Sequence, residues 1–269
     1  MSVRKTAGQQ GKGIHNEPAY MLHRYEWSES SLILELFSRN LGRLAVAAKG
    51  VRRPSSSFRS VLLPFQPLLV NLSGPAEIRT LKGVEWAGGY AMPTGEVLLI
   101  GYYLNELVMR LFARDDPHPA VFDAYAQALV VIAQQKDDQL TQPMLRMFEL
   151  VVLQELGVLP SLNQETLTAE KLLPDDVRYT LDPDAGLVRL EALGQHGHLR
   201  AKKTGVPGFV WLAIHQALES DHMVEALPLA IAPAVQELKI ILRGMLSHYA
   251  GTDFLHTRQL MQRLQKLKK

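Results

Sequence analysis

Not one of the 269 residues is cysteine. Disulfide staples, thiolate zinc sites and cysteine nucleophiles are therefore excluded. Long apolar runs are missing as well. The longest candidate, Val97–Leu111, is interrupted by Asn105, Glu106 and Arg110, and it falls short of the roughly 18 unbroken residues a membrane helix needs. Met1–Asn16 is rich in Gly, Gln and Lys without an apolar stretch, so no secretory signal is expected and a cytoplasmic protein fits best. Catalytic signatures are scarce. Gly8-Gln9-Gln10-Gly11-Lys12-Gly13 lacks Walker spacing, and no GxSxG, HExxH or EF-hand pattern occurs. Asp115-Asp116 with His118 reads as a helix start, and Gln195-His196-Gly197-His198 brings no clear third ligand. No enzyme activity, cofactor or metal is expected. What is present, 47% hydrophobic and 21% charged residues, is globular composition and excludes wholesale disorder and fibrous repeats.

The formal net charge of +2 conceals a division. Residues 1–85 carry 12 Lys and Arg against 6 Asp and Glu, residues 86–240 carry 11 against 20, and residues 241–269 carry 6 against 1. A basic front, an acidic middle and a basic tail follow one another. A locally basic module is the electrostatic footprint of a polyanion binder, although uneven surface charge alone would look the same.

The hydrophobic period divides the chain at about the same place. Ala19–Trp27, Ser31–Ser38, Gly42–Lys49, Leu68–Leu72 and Glu77–Leu81 read as short strands, with Leu32, Leu34 and Leu36 on one face of the second. Asn40 and Gly42 suit a hairpin turn, and Pro54, Pro64 and Pro67 confine residues 50–67 to irregular structure with one helical turn near Phe58–Leu63. Five short strands with one intervening helical turn match an OB-type barrel; an SH3-like barrel has the same periodicity. Beyond residue 92 the period is helical. Leu104, Leu107, Val108, Leu111 and Phe112 share one face, Asp116-Pro117 opens a second helix, Thr141 a third, and Gly157 closes it. Residues 160–208 are irregular, with two extended pieces around Asp182–Gly186, and helices return at Phe209–Glu219, Pro233–Tyr249 and Thr257–Lys268. The expected architecture is α+β and multidomain. It comprises a flexible tail over 1–17, an OB-type barrel over 18–88 and a larger, mostly helical domain over 89–269 with an irregular insert at about 160–208.

Lys49-Gly50-Val51-Arg52-Arg53-Pro54-Ser55-Ser56-Ser57-Phe58-Arg59 carries four positive charges and no negative one. Arg and Lys neutralise phosphates, while Ser and Gly let a backbone approach closely. At the end of the third strand this loop would lie beside the groove where such barrels take oligonucleotides; the alternative is a solvated basic loop. Arg24, Arg39, Arg43, Arg79 and Lys82 are candidates to extend this basic face, the alternative for each being an ordinary surface charge. Tyr25 and Phe58, beside Arg24 and Arg59, are the aromatics expected to be exposed for base stacking. In the helical half, Arg146 interrupts the apolar run Leu145-Arg146-Met147-Phe148-Glu149-Leu150. It either pairs with Glu149 one turn on or stands at the rim of a groove that receives a peptide carboxylate. Arg258, Arg263, Lys266, Lys268 and Lys269 compensate a helix dipole or add a second phosphate contact.

Several ordered signatures then converge. Arg24-Tyr25-Glu26-Trp27-Ser28-Glu29-Ser30-Ser31-Leu32, Gly42-Arg43-Leu44, Lys49-Gly50-Val51-Arg52-Arg53, Leu63-Pro64-Phe65-Gln66-Pro67-Leu68, Tyr103-Leu104-Asn105-Glu106-Leu107 and Leu145–Leu150 resemble the RecO family of bacterial DNA recombination and repair mediators. The resemblance runs over most of the chain, is strongest from about 19 to 160, and fades between Leu162 and Gly208. Some members carry a cysteine zinc module there, which this chain cannot build. The resemblance implies an N-terminal OB domain, a helical C-terminal domain and a nucleoid-associated location. It also implies binding of single- and double-stranded DNA, strand annealing, and partnership with RecR and single-stranded DNA-binding protein (SSB) in loading RecA. Arg146 falls in the segment that, in some relatives, contacts the SSB tail; Met147 stands where another basic residue can occur.

Overall fold

The computed structural model describes residues 13–74, 76–89, 95–134, 138–172, 177–192, 204–251 and 257. It separates into two compact units, one formed by residues 1–92 and 112–119, the other by 93–111 and 120–269.

Five strands build the first unit: β1 (Ile14–Glu26), β2 (Leu32–Ser38), β3 (Gly42–Ala48), β4 (Leu68–Leu72) and β5 (Ile78–Trp86). They close in the order β1-β2-β3-β5-β4, with β4 returning to β1. Every pairing is antiparallel except β3 with β5. This five-stranded Greek-key closure is that of the OB-type barrel. Alternation along the strands fills the interior: Ala19 and Met21 from β1, Leu34 and Leu36 from β2, and Leu44 and Val46 from β3 meet Leu68, Val70, Leu72 and Leu81. β1 starts at Ile14, inside the stretch read from sequence as tail, because Ile14 and Glu17 pair with Leu72 and Val70.

The outer face of β2 and β3 is covered by a strap, residues 112–119, which leaves the first helix and joins the barrel. The Asp115 amide donates to the Arg43 carbonyl at 2.9 Å. Gly42 sits at φ 73°, and a Cβ there would lie 2.1 Å from the Asp116 carbonyl oxygen, so only glycine permits both the hairpin and the strap. Under the strap the fully buried Glu35 carboxylate takes Arg43 at 2.7 Å and both prongs of Arg114, at 3.0 and 2.7 Å. Burial pushes the Glu35 carboxyl up; hydrogen bonds from Arg114 and Arg43, with their charges, outweigh it and hold the group below its ordinary value. Asp116-Pro117, expected to open the second helix, lies within the strap. The strap delays that helix to Pro119, and Asp115 turns at φ 58° instead.

Helices α1 (Glu96–Leu111), α2 (Pro119–Ala133), α3 (Asp138–Glu155), α4 (Gly208–Leu218), α5 (Met223–Ile231) and α6 (Val235–Tyr249) form the second unit, with a small sheet β6 (Arg178–Asp182), β7 (Gly186–Arg189) and β8 (Val206–Pro207) in the order β7-β6-β8. Leu104, Leu107, Tyr125, Leu129, Phe148 and Val152 are buried at the expected helical spacing. α3 begins before Thr141, which is buried rather than capping, and it contains Pro143, whose missing N–H removes one intrahelical hydrogen bond. α5 lies between the expected helices and contains Pro228. The 163–172 loop is pinned by Arg189, which donates to Glu165 and, at 2.9 Å, to Glu170. Among the described residues no helix is long and apolar enough to cross a membrane. The expected helix over 257–268, Thr257 apart, and the basic run from Arg258 to Lys269 lie outside the described residues, as does Gln195–His198.

Because Glu35 is held ionised in the folded barrel, its contribution is present above the unfolded carboxyl's pKa, roughly 4.3, and lost as pH falls below it. Glu35→Gln is expected to cost about 2–4 kcal/mol at neutral pH and to flatten the loss of urea resistance between about pH 5 and 3. Parallel pH profiles for the two proteins would contradict this.

Candidate nucleic-acid interface

The decisive local feature is a bulge in β1. Met21 pairs with Leu36, but His23 pairs with Glu35, so Leu22 is extra. Side chains alternate along a strand, and one inserted residue exchanges the faces beyond it. Arg24 and Glu26 consequently pair with Leu34 and Leu32 and follow the inner face to the barrel mouth, while His23 and Tyr25 turn outward.

Opposite them stands the loop after β3. Val51 and Leu62 are buried in the barrel core, with Phe58 and Val61 packed against it. The Gly50 amide reaches the Ser31 hydroxyl at 3.3 Å, and the Arg52 amide the Ser30 carbonyl at 3.0 Å. The Leu62 amide closes the expected helical turn on the Phe58 carbonyl at 2.9 Å. With its apolar members turned inward, the loop presents Arg52, Arg53 and Arg59 to solvent.

Between β1 and this loop lies a cleft of about 450 Å³. Met21, Leu32, Leu34, Val51 and Leu62 form its apolar lining; Arg24, Arg52, Arg59 and Glu26 supply its polar groups. Arg52 reaches Glu26 at 3.4 Å, and both side chains are well exposed, so the pair holds weakly. Arg24, Lys49, Arg53, Arg59 and Lys82 are exposed and make no ion pair with the described residues. Such charges keep their full attraction for an external anion.

Not every candidate belongs to this face. Arg43 is committed to Glu35 and, at 2.6 Å, to the Phe112 carbonyl, with its side chain 12% exposed. Arg79 is likewise 12% exposed and donates to Asp115 at 2.8 Å. Both are internal braces of the barrel unit rather than phosphate contacts. Lys82 stands in a bulge of β5 opposite Asn71 and Leu72, outside the cleft lining. Tyr25 is exposed, as expected, but faces away from the cleft and meets His23 edge-on. Phe58 is half-buried against the core; Trp27 and Trp86, at 56% and 55% exposure, are the more open rings. The charged pair Asp115 and Asp116 engages Arg79 and, at 3.2 Å, His118.

In the helical unit Arg146 is 4% exposed and donates to Glu149 at 2.6 Å; the Tyr103 hydroxyl donates to the same carboxylate at 2.6 Å. The local pair therefore prevails over the groove-rim reading. Nothing in the sequence marked Glu26 as part of the cleft, since the bulge that aims it leaves no compositional trace.

Comparison with known proteins places this geometry. The family model for the N-terminal domain of recombination protein O matches residues 13–90, and that for its C-terminal domain matches residues 92–204. The chain belongs to the RecO family. Proteins named DNA repair protein RecO from Polaromonas naphthalenivorans and Variovorax paradoxus are each 50% identical over 94% of this chain and 98% of their own. That of Verminephrobacter eiseniae is 48% identical over 95% of this chain and 98% of its own. The barrel with its cleft coincides with the RecO N-terminal region, and this is a DNA repair protein by family.

Arg43 and Arg59 should separate sharply in a stability assay. Arg43→Ala strips a partner from the buried Glu35 and should cost about 2–4 kcal/mol in chemical unfolding. Arg59→Ala should stay within about 0.5 kcal/mol of the parent. Equal losses would show that Arg43 is not the brace its contacts describe.

Proposed function

We propose that the barrel holds DNA by its phosphates, and that the protein acts as a non-enzymatic recombination mediator. The observation that carries this reading is the convergence of Arg24, Arg52 and Arg59 on one cleft, from separate parts of the chain. Lys49 and Arg53 extend the positive surface without carboxylate partners among the described residues. Guanidinium and ammonium groups neutralise phosphates irrespective of sequence, so single and double strands both bind. Annealing follows from the same charge: two strands held near one cationic surface repel each other less, and complementary bases can then pair. RecR, SSB and RecA are the partners the family role brings with it; SSB-coated strands are handed over, and RecA is loaded on them. Arg146 has no part in the SSB contact in this reading, because its side chain is buried and one of its nitrogens is paired with Glu149 inside the helical unit.

If four to six phosphates are neutralised, log K should fall against log[salt] with a slope of roughly −3 to −4 for single strands. Replacing Arg24, Arg52 and Arg59 together by Ala should bring that slope about 2 units closer to zero and weaken unrelated sequences alike. An unchanged slope and affinity, measured by fluorescence anisotropy on correctly folded protein, would sink the assignment. A protein that binds its protein partners yet no DNA at low salt would instead be an adaptor, and one that cleaves strands or turns over nucleotide would be an enzyme.

Glu26 opposes the three arginines at the same rim. Glu26→Gln frees Arg52 from its 3.4 Å partner and removes a charge that repels phosphate. Single-strand affinity at moderate salt should rise about two- to fivefold. A fall in affinity would mean that Glu26 positions Arg52 productively instead.

A further inference from the structure

Phosphate binding uses the arginines of the loop after β3 but gives its serines nothing to do. Ser55 follows Arg52-Arg53-Pro54, and Ser56 and Ser57 come next. Ser55 and Ser57 are exposed, and their hydroxyls make no hydrogen bond among the described residues, whereas the Ser60 hydroxyl donates to the Ser57 carbonyl at 3.2 Å. Among the described residues the backbone from Arg53 to Ser57 bonds only within the loop. The Arg53 amide donates to the Gly50 carbonyl at 3.1 Å, and the Ser56 amide to the Arg53 carbonyl at 3.0 Å. Pro54 has no amide to donate. Core residues Val51 and Leu62 anchor the two ends, so the segment between them can be drawn into an enzyme's groove without breaking a rung of the barrel.

We propose that Ser55 is a phosphorylation site, recognised by a basophilic serine kinase, whose modification loosens the barrel's hold on DNA. This rests on the phosphate reading above and goes beyond it by giving that binding an off switch. An acidic substrate groove reads guanidiniums at fixed spacing before a hydroxyl; here Arg52 and Arg53 stand three and two residues ahead of Ser55. Ser56 is half-buried, and Ser57 lies further along the chain from both arginines. In the transfer, the Ser55 Oγ attacks the γ-phosphorus of a nucleoside triphosphate held by the kinase. The bond to the β-phosphate oxygen breaks, the diphosphate leaves, and the hydroxyl proton passes to the kinase's base. The product carries a charge of roughly −1.5 to −2 at neutral pH. Residues 49–59 hold four cations and no carboxylate, so the new phosphate offsets about half of the loop's charge and competes with DNA for the same guanidiniums.

The full chain should be incubated with ATP and a kinase of this class, the catalytic subunit of cyclic-AMP-dependent kinase, and followed by intact mass and peptide mapping. Uptake of a single phosphoryl group on Ser55 is expected, with none in Ser55→Ala at the same enzyme load. The modified protein should bind a labelled thymine oligonucleotide about tenfold more weakly at moderate salt, with a salt slope about 1–2 units closer to zero. Phosphatase treatment should restore both. Uptake that persists in Ser55→Ala, or no uptake by the folded parent, would overturn the site. Complete modification of Ser55 with affinity and slope unchanged would overturn the switch and leave phosphate binding standing. An unmodified parent that binds no strand at low salt would overturn both.

Discussion

One extra residue in β1 governs what this barrel offers to solvent. Without Leu22 out of register, strict alternation from Ala19 and Met21 would carry His23 and Tyr25 to the inner face and turn Arg24 and Glu26 outward. The bulge exchanges the two sets just where the strand runs past the core, so a guanidinium and a carboxylate finish at the mouth beside Leu32 and Leu34. The loop after β3 then has to stand opposite, and it does so because Val51 and Leu62 are core residues at its two ends. Burying those two side chains costs the loop its freedom but is offset by transfer of apolar surface from water, about 25 cal/mol per Å². The arginines between them are aimed outward as a consequence.

A second sorting is electrostatic. The basic front of the sequence does not become a uniformly basic surface, because carboxylates remove particular cations from it. Glu35 takes Arg43 and Arg114, Asp115 takes Arg79, and in the helical unit Glu149 takes Arg146. A buried carboxylate without partners is far costlier than an exposed arginine without one, so Glu35 and Glu149 command their cations whatever else those cations might bind. Among the described residues the exposed arginines of the cleft face only Glu26, itself open to water, and that weak competition leaves them available.

These two effects also explain how much was legible beforehand. Strands β2, β3 and β4 and the helical faces carrying Leu104, Tyr125 and Phe148 follow from period and burial, which are local properties. The OB-type order required the family resemblance, since periodicity leaves an SH3-like barrel open. The bulge, the strap and the ion pairs depend on residues far apart in the chain: Arg114 meets Glu35 across 79 positions. Arg43 and Arg79 therefore look like Arg24 and Arg59 in the sequence, though the first two brace the barrel and the last two line its cleft. Phe58 looked like a stacking ring for the same reason. Its neighbour Arg59 is exposed, yet the turn that exposes Arg59 rotates Phe58 onto the core. α5 escaped because Pro228 interrupts a short pattern that reads equally well as a loop.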